Sequence, residues 1–138
     1  MADFIRFQKI ASDAESMELN VSAQNPVISA SSKIYVTVSM LQELQEQILA
    51  FLAENDLEAY WENDVPGCGG PPCVTMTILP HGLNVLVEIY MELNDGGSFM
   101  DHHCLFYVCT DRPALKYFSQ KLSEFVTAPP GAELMLNG

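Results

Sequence analysis

Polar and apolar residues alternate along residues 4–10 and again along 17–23, the two-residue period of a half-buried β-strand. Asp13, Ala14, Glu15 and Ser16 supply the turn between them. Beyond Asn25-Pro26 and a serine-rich stretch, Ile34, Val36 and Val38 share one face and Lys33, Tyr35 and Thr37 the other, which predicts a third strand. The period changes at Ser39. Leu41, Leu44, Ile48 and Phe51 recur at helical spacing while Gln42, Glu43, Glu46 and Gln47 take the wet side. Ser39 with Gln42 fits a capping box, and the helix is predicted to run to about Glu54-Asn55.

The second half reads in the same way. Val74–Leu79 is a strand, and Pro80-His81-Gly82 is a tight turn. Over 83–93, Leu83, Val85, Val87, Ile89, Met91 and Leu93 face one way and Asn84, Glu88, Tyr90 and Glu92 the other, with Leu86 out of phase. Asn94-Asp95-Gly96-Gly97 is turn chemistry, and 103–109 is another strand. Asp111 is placed to cap a second helix, with Pro113 tolerated in its first turn and Leu115, Phe118, Leu122 and Phe125 as its apolar stripe. That helix stops before Pro129-Pro130, and residues 131–138 read as an irregular tail. The expected architecture is one α+β domain over residues 1–138: a single antiparallel sheet of about five to six strands with two helices packed on one face and no internal repeat.

Length and composition agree with one folded domain. With 49% apolar residues, 138 residues can bury a core despite a net charge of −12. Charge changes the picture more than size does. Between Lys33 and Arg112, residues 34–111 contain no lysine or arginine but 12 aspartates or glutamates, with only His81, His102 and His103 to moderate them. Neither nucleic acid nor an anionic membrane finds cations to pair with on such a surface, whereas a basic protein is attracted and steered to it. No apolar run is long enough to span a membrane, and the alternating N-terminus does not read as a signal peptide, so a cytoplasmic location is expected. There the four cysteines are expected to be thiols.

Candidate chemistry is sparse. Cys68, Cys73, His102, His103, Cys104 and Cys109 are zinc-ligand types, but Cys68 and Cys73 are separated by glycines and prolines rather than by a two-residue knuckle. His102, His103 and Cys104 are adjacent, so on a strand they alternate between faces. A zinc-stabilised domain and a Cys68–Cys73 disulfide are alternatives to inert thiols, and no metal or cofactor is expected. A catalytic cysteine lacks an orienting third residue, and acidic surroundings would raise its pKa. Glu88 and Glu92 share a strand face about 13 Å apart, too far for paired acid–base work. Gly67-Cys68-Gly69-Gly70 leads into prolines rather than a helix start, which rules out a phosphate loop. An enzyme is not expected.

The segment 54–64 combines acids with aromatics: Glu54, Asp56, Glu58, Tyr60, Trp61, Glu62 and Asp64. Aromatic anchors rimmed by carboxylates suit an interface with a basic partner, so these seven are the candidate partner-binding residues. The alternative for Trp61, the only tryptophan, is a half-buried place at the helix exit.

Lys33-Ile34-Tyr35-Val36-Thr37-Val38 passing directly into Ser39–Ile48, then Val85-Leu86-Val87-Glu88-Ile89-Tyr90 and the closing Leu115–Leu122, resembles the WapI-type immunity proteins of bacterial polymorphic toxin systems over residues 4–126. The resemblance implies a small cytoplasmic protein that neutralises a cognate toxin domain. Such inhibitors of nuclease toxins are often acidic because their target holds nucleic acid and is basic. The expected function is therefore non-enzymatic: an acidic immunity protein that blocks the active surface of a basic, nuclease-like toxin. A subunit of an oligomeric assembly is the alternative, and a homodimer is compatible with either reading.

Overall fold

The runs that alternate in the sequence form strands, and each half of the chain repeats one pattern: three antiparallel strands, a 16-residue helix and a short closing strand. The first half comprises β1 (Phe4–Ser12), β2 (Ser16–Gln24), β3 (Ser29–Thr37), α1 (Val38–Ala53) and β4 (Ala59–Glu62). The second comprises β5 (Val74–His81), β6 (Asn84–Leu93), β7 (His102–Asp111), α2 (Arg112–Thr127) and β8 (Glu133–Asn137). The structure, a computed structural model, describes residues 3–53, 58–63, 73–93 and 102–138.

The chain is α+β, but it builds two four-stranded antiparallel sheets rather than one sheet of five to six strands. Sheet A has the order β3-β2-β1-β8 and sheet B the order β4-β5-β6-β7. Each closing strand leaves its own half. β4 follows α1 but pairs with β5, and β8 follows α2 but pairs with β1. The two strands that went unpredicted are these short ones, of four and five residues. Neither is long enough to show a period by itself; each exists because a long strand of the other half offers it a free edge. The supposedly irregular tail after Gly131 is thus β8, with Leu134 and Leu136 turned into the core.

An internal repeat is present in the helices and in the strands that lead into them. The buried stripes are Leu41, Leu44, Ile48 and Phe51 in α1 and Leu115, Phe118, Leu122 and Phe125 in α2, a constant offset of 74 residues. The inward positions 32, 34 and 36 of β3 map by the same offset onto Phe106, Val108 and Thr110 of β7. In both halves the third strand enters its helix without a loop, and its last residue caps it. Thr37 Oγ1 accepts from Met40 N at 3.2 Å, and Asp111 Oδ1 accepts from Ala114 N at 2.8 Å. Thr37, not Ser39, is therefore the cap of α1, because the strand hands over two residues earlier than expected.

Both helices lie along one another with their stripes in one core built from the inner faces of both sheets. Phe7 of β1 is central, edge-on to Phe118 with ring centroids 5.6 Å apart and tilted against Trp61 at 6.3 Å. Polar side chains close the seams between the sheets. Asn63 Nδ2 donates to Tyr35 O, Asn25 Nδ2 to Tyr107 O, and Cys109 N to Asp3 Oδ2. These bonds occupy edge-strand backbone groups that would otherwise invite another strand.

One buried cation belongs to the frame. Lys9 of β1 is 1% exposed and donates to the carbonyls of Phe125, Val126 and Ala128 at 2.7, 3.0 and 2.7 Å. Phe125 and Val126 belong to the last turn of α2, where carbonyls run out of helical donors and no basic residue is present; Phe125 O accepts in addition from the cap Ala128 N at 3.2 Å. Burial lowers the pKa of the Lys9 amine from its ordinary value.

Candidate interaction surface

Alternation along each strand of sheet B turns one set of side chains into the core and the other into solvent. The inner set includes Trp61, Val74, Met76, Ile78, Val85, Val87, Ile89, Met91, Phe106 and Val108, all buried. Register then decides what stands side by side on the outer face. Tyr60, Thr77, Glu88 and Tyr107 form one row across the four strands, and Glu62, Thr75, Tyr90 and Leu105 form the next. Glu92 and His103 are paired in the row beyond. Tyr60, Leu105 and Tyr107 are about half exposed, at 50%, 52% and 45%, so the rows open on solvent. None of the four strands contains a lysine or arginine.

Two phenols on this face are already matched to carboxylates. Tyr60 Oη donates to Glu62 Oε2 at 2.8 Å, and Tyr107 Oη donates to Glu88 Oε2 at 2.7 Å. Desolvation first, and then the bond to Glu62 and its charge, raise the Tyr60 pKa above its ordinary value. For Tyr107 the bond to Glu88 is the leading cause of an upward shift, with the Glu88 charge second. Both phenols therefore stay neutral donors. The Tyr90 ring lies 5.6 Å from that of His103. The face combines flat, amphipathic rings with fixed negative charge.

The outer face of sheet A differs. Lys33 and Tyr35 of β3, Glu18, Asn20 and Ser22 of β2, Arg6 and Gln8 of β1, and Glu133 of β8 lie on it, so its carboxylates are interspersed with two cations.

Of the seven residues singled out in 54–64, Glu58, Tyr60 and Glu62 are exposed on or just before β4. Trp61 points the opposite way. It is 2% exposed, and its Nε1 donates to Met40 O at 2.8 Å, so it seals the start of α1 against the sheet. Glu54, Asp56 and Asp64 lie outside the described residues, as do Cys68 and the turn expected at 94–97. Sequence reading overlooked Tyr90, Leu105 and Tyr107. The alternation that placed them outward was visible, but only the register across β4, β5, β6 and β7 brings them into the same two rows as Tyr60 and Glu62.

The thiols and imidazoles do not converge. His103 and Cys109 point outward while Cys104 points inward, where burial raises its pKa. Among the described residues no group of three or more histidine, cysteine or acidic side chains could hold a metal ion. Among those residues, too, no helix is long and apolar enough to cross a membrane. No protein family, no characterised protein and no solved structure matches this chain.

Proposed function

We propose that this chain is a non-enzymatic binding protein of the immunity type, which docks the outer face of sheet B on a basic, nuclease-like toxin domain and covers its active surface. One observation carries the reading: Tyr60, Tyr90 and Tyr107 stand among Glu62, Glu88 and Glu92 on a sheet whose four strands contain no lysine or arginine. Tyrosines give large contact area at small entropic cost, and carboxylates reward a cationic partner while repelling a phosphate backbone. A nuclease must hold phosphate and so presents cations around its active surface. An inhibitor with this face competes for those cations without performing chemistry, and net charge of the same sign speeds the encounter. The resemblance of Lys33–Ile48, Val85–Tyr90 and Leu115–Leu122 to WapI-type immunity proteins supports the same function, and with it a bacterial, cytoplasmic setting.

The test is capture from the native organism at low salt, elution along a salt ramp and mass spectrometry. A single basic toxin fragment in stoichiometric amount is the expected result. Recovery of the protein alone, or of an assembly without a toxin, would replace the immunity reading with that of an oligomer subunit.

A further inference from the structure

From the same face we infer a narrower property, resting on the docking reading above: its partner presents arginine, not lysine, to two clamps, Tyr60–Glu62 and Tyr107–Glu88. Each clamp sets the edge of an exposed phenol ring against a carboxylate through a bond of 2.8 or 2.7 Å. A guanidinium is flat and weakly hydrated. It stacks on the ring and, in the same pose, directs its N–H groups at the neighbouring carboxylate. An ammonium is a compact, strongly hydrated point charge. It pairs with the carboxylate and gains little from the ring.

Two features of the structure make the arrangement selective rather than merely acidic. The hydroxyl bonds restrict both members of each clamp before a partner arrives, which lowers the ordering cost of docking. The clamps also sit at opposite edges of sheet B, with Tyr60 and Tyr107 in one row three strand spacings apart, roughly 14 Å. Thr75 and Thr77 of β5 stand between the two clamps, and Tyr90 and Leu105 in the adjacent row flank the Tyr107–Glu88 clamp with apolar contact area. The face therefore fits a protein surface that holds two arginines at that separation.

The experiment compares two synthetic peptides of one sequence, differing only in carrying arginine or lysine at every basic position, titrated into the isotopically labelled full chain at physiological salt. The expected result is arginine-peptide affinity at least about tenfold above that of the lysine peptide, with the amide shifts confined to β4, β6 and β7. The double variant Y60L/Y107L, altered only at half-exposed positions, should stay folded with at most a slight fall in melting temperature and bring the ratio close to 1. Y60F/Y107F, which keeps the rings but frees the carboxylates, should fall between. Equal affinities at this face would overturn the arginine inference and leave the basic-partner reading standing. An arginine preference that survives Y60L/Y107L would overturn it as well. Shifts on another surface, or no binding of either peptide, would remove both the inference and the face on which it rests.

Discussion

Replacing Lys9 with methionine isolates what one buried cation contributes to the fold. The substitution keeps a linear side chain of similar length, so packing around Phe125 and Phe7 changes little. What disappears is the donor to three carbonyls at 2.7, 3.0 and 2.7 Å at the exit of α2. A net value of roughly 1.5–3 kcal/mol per hydrogen bond to a charged group would sum to much more than the real loss. Part of that sum is offset by relief of the amine's desolvation, itself worth several kcal/mol. A net destabilisation of about 3 kcal/mol follows, in line with breaking other buried charged arrangements. For a domain of this size that is a fall in Tm of roughly 10 °C. The assay is urea unfolding followed by circular dichroism, with hydrogen exchange read at the amides of Gly131 and position 9, whose bonds join β1 to the segment leaving α2. In the parent, Gly131 N donates to Lys9 O at 2.7 Å and Lys9 N donates to Ala132 O at 2.9 Å. Accelerated exchange there, ahead of β5 and β6, is expected. A variant within 0.5 kcal/mol of the parent would refute the idea that the lysine closes the end of α2.

Trp61→Phe removes the bond to Met40 O but keeps a ring in the core, and a loss of about 1–2 kcal/mol is expected by chemical unfolding. In the parent, tryptophan emission should be blue-shifted and inaccessible to iodide, since Trp61 is buried. Alkaline titration at 295 nm should show Tyr60 and Tyr107 ionising above ordinary tyrosine. Their folded pKa values are raised, so their contribution to stability is present below the unfolded value near 10.0 and is lost as pH climbs through the folded values. E62Q/E88Q should move both titrations back toward the ordinary range. At the acid end, amides of Glu15 and Ser16 hold the Asp13 carboxyl below its usual pKa. Its contribution is therefore present above 3.8 and lost as pH falls through the folded value, a loss that Asp13→Asn should lack. Chains split between Asn63 and Cys73 should remain unfolded singly and assemble when mixed, because β4 and β8 each complete the other half's sheet.

Much of this architecture was legible in the residues, and what was not has a common cause. Alternation and helical spacing report on faces, so the six long strands and both buried stripes could be read from residues 4–125. Partnership across the chain leaves no such mark. Ala59–Glu62 and Glu133–Asn137 become strands through exchange between the halves, and with them one expected sheet becomes two. The repeat itself was hidden because only Leu41/Leu115 and Phe51/Phe125 keep the same residue along the stripe, while Leu44 stands against Phe118 and Ile48 against Leu122. The site divides in the same way. Tyr60 and Glu62 stood out by local composition, Trp61 shared that composition but alternates inward, and Tyr107 joins them only through three strand registers.

The most direct measurement on the docking face is a hydrogen-exchange footprint of the chain in complex with the partner captured from its own organism. Selective slowing at Tyr60, Glu88, Tyr90 and Tyr107, with sheet A unchanged, is the predicted result. Protection confined to Lys33, Tyr35 and the outer face of sheet A, with β4, β6 and β7 exchanging as in the free protein, would contradict it.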